Sequence, residues 1–184
     1  MDRQRDRSLR LTQGEVDVDD YPEEPRRAMV RDGVFVGNKD AAEDVVGIMR
    51  AAPAEERPTL ALLSCNGNLP SWWRDHDARC MPAIALGFDD LEVNHPRAKM
   101  KMLNLGAGFI HAMLDVDMPV LIYCYRGASR SVVMAAYHLV LTEQLSPAQA
   151  LEEVMEKVEW AAPSLGMVEL LVRVSRQWMA NRGG

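Results

Sequence analysis

Val120-Leu121-Ile122-Tyr123-Cys124-Tyr125-Arg126-Gly127-Ala128-Ser129-Arg130-Ser131 decides how this chain is read. Val120 to Tyr123 is an apolar run that follows Pro119, which predicts a short strand covered on both faces. Cys124 then opens a tight turn, and from Ser129 to about Thr142 the sequence is apolar nearly all round, the pattern of a central helix. A turn that feeds a helix N-terminus is an anion cradle: backbone N–H groups converge, and the helix adds partial positive charge. Gly127 permits a backbone conformation that other residues resist. Arg130 supplies a planar fork for two oxygens of a phosphoryl group. The same field favours the thiolate of Cys124, which is the nucleophilic form.

The other two cysteines lack this setting. Six residues beyond Cys65 and Cys80 stand Ser71 and Leu86 instead of an arginine, so both read as inert core thiols. Three cysteines without close spacing form neither a disulfide framework nor a zinc site. His76, His95, His111 and His138 also lack ligand spacing, so no metal and no other cofactor is expected.

Working outward, Val34-Phe35-Val36 before Gly37-Asn38 predicts a strand and a turn, and Asp40 can start a helix through Met49. Thr59 to Ser64 and Pro82 to Leu86 read as further strands, with a helix over Ala98 to Leu114. Two more helices follow Ser129 to Thr142. One opens at Ser146-Pro147-Ala148-Gln149, where Ser and Gln have capping-box spacing, and the other lies between Pro163 and Trp178. Strands alternating with helices predict an α/β fold, a mostly parallel central sheet flanked by helices.

Composition narrows the function classes. A chain of 184 residues that is 48% hydrophobic and 26% charged is one globular domain with room for a short tail. Its net charge of -6 argues against nucleic acid or anionic lipid as a bulk-charge partner, so an anion site must be local. The longest apolar runs are too short to span a bilayer, and Met1 to Arg7 has no signal-peptide core. A soluble cytoplasmic protein with reduced thiols is expected. Residues 1–28 mix acids and arginines with sparse apolar positions, the composition of a flexible extension, which leaves 29–182 as the domain.

Cys124-x-x-Gly127-x-x-Arg130-Ser131 resembles the signature of the cysteine-based protein phosphatases, and its surroundings resemble the dual-specificity branch. Val34 to Asn38 with Ala41-Ala42, Phe109-Ile110, and Pro163-Ser164-Leu165-Gly166-Met167 extend the likeness over about residues 30–178. The resemblance implies a dual-specificity phosphatase-like domain that acts on phosphoproteins without metal. Cys124 would attack phosphorus, and an aspartic acid would protonate the leaving oxygen and then activate water. Tyr125, Arg126, Gly127, Ala128, Ser129 and Arg130 would surround the phosphate, and Ser131 would assist the departing thiolate. The acid is expected in Gly87-Phe88-Asp89-Asp90-Leu91-Glu92, with Asp89 the first choice and Asp90 the second. Two positions depart from the family pattern. Tyr123 replaces the usual histidine, which would slow the enzyme, and Arg126 replaces a small residue. The first departure suggests a catalytically weak phosphate-binding scaffold as an alternative. The second suggests a phosphatase for a phosphoinositide or an RNA 5′ end.

Overall fold

A computed structural model describes residues 24–51, 60–70, 81–88, 90 and 96–182. Its elements are β1 (Arg27–Arg31), β2 (Val34–Gly37), α1 (Lys39–Ala51), β3 (Ala61–Ser64), β4 (Ala83–Ala85), α2 (Pro96–Leu114), β5 (Val120–Tyr123), α3 (Arg130–Glu143), α4 (Pro147–Lys157) and α5 (Leu165–Arg182). The strands form one sheet in the order β1-β2-β5-β3-β4. β5 runs parallel to β2 and β3, and β4 is parallel to β3. Among the described strands only β1 is antiparallel, against β2. The expected α/β architecture, a mostly parallel sheet between helices, is what the chain adopts.

The apolar run of β5 is buried at every position, which follows from its central place in the sheet. Its alternate residues serve two cores. Val120, Ile122 and Cys124 join the larger cluster with α2 to α5, while Leu121 and Tyr123 pack with Ala42, Val45 and Leu62 on the α1 side. α3 buries ten residues, from Ser131 to Val140, as its nearly all-round apolar pattern requires. α4 opens with the expected capping box: Ser146 Oγ accepts from Gln149 N, and Gln149 Oε1 accepts from Ser146 N.

β1 was not anticipated, and it moves one boundary. Arg27 and Ala28, read as the end of the extension, pair with Gly37 and Val36 in the sheet. Arg31 of this strand forms ion pairs with Glu143 and Glu153, which ties the edge of the sheet to α3 and α4. The remainder of the expected extension, residues 1–23, lies outside the described residues.

Candidate active site

Parallel strands deliver their C-terminal ends to one edge of the sheet, where crevices form between diverging loops. β5 ends there at Tyr123, so Cys124 is the first residue of the loop that closes on α3 at Arg130. The loop is held from outside. Tyr125 O accepts from Lys39 N (3.2 Å) and Ala128 O from Ala162 N (2.8 Å). Gly127 O accepts from Trp160 Nε1 (3.1 Å). In a planar trans peptide the N–H points opposite to the carbonyl. Tying these three carbonyls outward therefore turns the N–H groups of Arg126, Ala128 and Ser129 away from their supports, toward the inside of the turn.

Gly127 makes that turn possible. Its φ is +70°, and a Cβ there would lie 2.7 Å from Gly37 C and O and 2.8 Å from Asn38 N. The adjoining β2–α1 corner is itself pinned by Asn38, which is fully buried. Its Oδ1 accepts from Arg26 N (3.0 Å) and Ala41 N (2.9 Å), and its Nδ2 donates to Glu24 O (3.1 Å). From the sequence, Asn38 is only a turn residue. Its role as the peg behind the loop depends on β1, whose pairing no local pattern announces.

Cys124 Sγ lies 3.3 Å from Ser131 Oγ, and either atom can donate. Cys124 is only 2% exposed, so the sulfur sits at the floor of the loop and not at its rim. Arg130 Nη1 donates to Phe88 O (3.2 Å), while its buried Nε–H has no partner among the described residues. An unpaired guanidinium N–H is costly unless an oxyanion meets it. Ser129 precedes α3 without capping it; its Oγ donates to Asp90 Oδ1 (2.6 Å) and accepts from Ser164 N (3.1 Å). Tyr125 and Arg126 are exposed on the outer side of the turn. A cleft of about 260 Å³ lined by Lys39, Glu43, Asn66, Asn68, Tyr123 and Tyr125 runs beside the loop.

Tyr123 points away from the loop. Its side chain belongs to the α1-side core, and its hydroxyl donates to Asn68 O (2.9 Å), which also lies 2.7 Å from Ser64 Oγ. Burial pushes the Tyr123 phenol up, so it stays a neutral donor. Cys65 is wholly buried, and burial pushes its thiol up as well, with the neighbouring Cys124 adding to the effect.

The sequence matches no protein-family model and no curated protein. Solved structures do match. Human DUSP28 aligns with a TM-score of 0.70 at 19% identity, over 86% of this chain and 99% of that one. A mouse putative dual specificity phosphatase complexed with zinc tungstate gives 0.70 at 20% identity, over 86% and 92%. A human tyrosine phosphatase-like serine/threonine/tyrosine-interacting protein gives 0.65 at 17% identity, over 86% and 98%. The fold is that of the dual-specificity phosphatases.

Within this dual-specificity phosphatase fold, Cys124, Gly127, Ala128, Ser129, Arg130 and Ser131 come together around one turn. Asp90 joins them through Ser129. Asp89, the expected acid, and Cys80 lie outside the described residues. Sequence reasoning missed the loop's outer supports, Lys39, Trp160 and Ala162. Only Pro163-Ser164, in the same connection, carried a family-like signal. Among the described residues no group of His, Cys, Asp and Glu could hold a metal ion, and no helix is long and apolar enough to cross a membrane.

Proposed function

We propose that this protein is a cysteine-dependent phosphatase that hydrolyses phosphate monoesters of phosphoproteins, on tyrosine and on serine or threonine. The observation that carries the reading is the cradle over Cys124: three loop carbonyls tied outward, and an Arg130 Nε–H with no partner among the described residues. Such a cavity presents donors to a tetrahedral dianion before it arrives, which is how charge on equatorial oxygens is stabilised without reorganisation. Cys124 Sγ attacks phosphorus and the phosphoryl–oxygen bond of the ester breaks, giving a cysteinyl-phosphate. Asp89 protonates the leaving oxygen. Water, deprotonated by the same carboxylate, then attacks phosphorus, and the thiolate leaves with Ser131 Oγ donating to it. The Cys124–Ser131 contact of 3.3 Å supports that role. Cytoplasmic residence belongs to the same reading, since a reactive thiol needs a reducing compartment.

The test is turnover of an aryl phosphate, then of phosphotyrosyl and phosphothreonyl peptides. Cys124→Ser should abolish turnover, and Asp89→Ala should lower kcat by about 10²–10³-fold. Turnover that survives the serine substitution overturns the proposal.

One observation favours a second reading, a weakly active phosphate-binding scaffold. Tyr123 engages Asn68 on the far side of the strand, so it gives the loop no hydrogen bond of the kind the family histidine would. Here the wild type would bind a phosphopeptide while turning it over barely, and Tyr123→His would raise turnover. Exposed Arg126 keeps inositol phosphates and RNA 5′ ends as comparison substrates; preference for either over phosphopeptides would replace the protein substrate class.

A further inference from the structure

Asp90 is held from two elements at once. Its Oδ1 accepts from Ser129 Oγ of the phosphate loop at 2.6 Å. Ser164 Oγ, in the connection between α4 and α5, lies 3.1 Å from both Oδ1 and the backbone O of Asp90, and its single proton serves one of them. Ser129 Oγ also accepts from Ser164 N (3.1 Å), which closes a three-residue ring of hydrogen bonds. Two residues earlier, Phe88 O accepts from Arg130 Nη1. The segment is thus fastened to the phosphate loop on both sides of position 89, once through a backbone carbonyl and once through a side chain.

We propose that Asp90 is a positioning residue, a latch that sets the acid-bearing segment against the phosphate loop, and that proton donation is left to its neighbour Asp89. This rests on the phosphatase reading above. A general acid must present its carboxyl to the leaving oxygen, whereas Asp90 Oδ1 accepts from Ser129 Oγ and lies within reach of Ser164 Oγ, hydroxyls that belong to the loop's own support. The same α4–α5 connection holds Ala128 O and Gly127 O through Ala162 and Trp160, so the latch joins the acid segment to the scaffold that orients the loop amides. Arg130 carries the second fastening and also the Nε–H that has no partner among the described residues, so seating an oxyanion and seating the acid segment share one guanidinium.

Asparagine keeps an acceptor oxygen at the latch and removes the acid, while alanine removes both, and this separates the two roles. With an aryl phosphate, Asp90→Ala should lower kcat by about 10–100-fold with a smaller change in KM, because misplacement of a reacting group acts mainly on the chemical step. Asp90→Asn should recover kcat to within about threefold of wild type and keep the alkaline fall of the pH–rate profile. Asp89→Asn should flatten that alkaline limb. A flattened limb in Asp90→Asn, or equal losses in Asp90→Asn and Asp90→Ala, would overturn the assignment. Thermal unfolding of Asp90→Ala, Ser129→Ala and the double variant reads the latch without any turnover. Non-additive Tm losses support it, and strict additivity refutes it even if the chain is inactive. Turnover that persists in Cys124→Ser would instead remove the phosphatase reading, with the Tm cycle left to judge the latch.

Discussion

Cys65 and Cys124 end neighbouring parallel strands one step beyond the paired residues Ser64 and Tyr123, and Cys65 N donates to Tyr123 O at 2.7 Å. Both side chains face the same core. They differ in what comes next. After Cys65 the chain turns through Asn66-Gly67-Asn68, where Asn66 Oδ1 and Asn68 O are taken by Ser64 and Tyr123. After Cys124 it folds through a loop whose carbonyls at Tyr125, Gly127 and Ala128 are tied to Lys39, Trp160 and Ala162, then enters a helix, with Ser131 Oγ beside the sulfur. Two thiols of similar burial therefore meet opposite surroundings. The strand fixes where each thiol sits; the loop that follows it fixes what surrounds the sulfur.

The contrast can be broken from its strongest side first. Cys124→Ser removes the proposed nucleophile and should leave no measurable turnover. Cys65→Ala should keep kcat/KM within about threefold of wild type and cost about 1–2 kcal/mol of stability, since only a small buried group is lost. Comparable loss of activity in both variants would mean that the two sites are not distinct. Gly127→Ala tests the loop itself. It places a Cβ against the backbone of Gly37 and Asn38 at a positive φ, so turnover should fall by about 10²-fold or more, with a lowered Tm. Wild-type kinetics in this variant would show that the close approach does not shape the cradle.

A smaller effect lies at the other end of the sheet. His138 of α3 is buried, and burial lowers its pKa from 6.5 to about 4, with His111 adding to the shift. The unfolded chain takes up this proton below about pH 6.5 while the folded chain does not until about 4. Stability should therefore decline as pH falls through that window, by about 1–3 kcal/mol once residual solvent screening is allowed for. Denaturant unfolding from pH 7 to 4 should show the slope, and His138→Gln should remove most of it. Glu143, whose pKa is lowered by its hydrogen bond to Arg31, adds a further loss only below about pH 4.5. An unchanged slope in His138→Gln would assign the acid sensitivity elsewhere.

Much of this was legible because it is local. The run Val120 to Tyr123, the glycine at 127, the arginine at 130 and the apolar helix behind them each impose their own structure over a few residues. The Ser146–Gln149 box formed as its spacing requires. What stayed hidden is non-local. β1 is a short edge strand whose partners are read only once β2 exists. Asn38, Trp160, Ala162 and Ser164 gain their roles from bonds across 12 to 74 residues of chain, which no periodicity encodes. The depth of Cys124 was also invisible, because it depends on how closely the loop folds over its own first residue.

The central claim is that Cys124 carries the phosphoryl group. Rapid acid quench of the protein with an aryl phosphate, followed by peptide mass spectrometry, tests it directly. The account predicts a phosphoryl adduct on the peptide containing Cys124, more abundant in Ser131→Ala, whose thiolate leaves less readily, and absent in Cys124→Ser. Product release with no adduct on that peptide in wild type or Ser131→Ala, or an adduct that persists in Cys124→Ser, would contradict it.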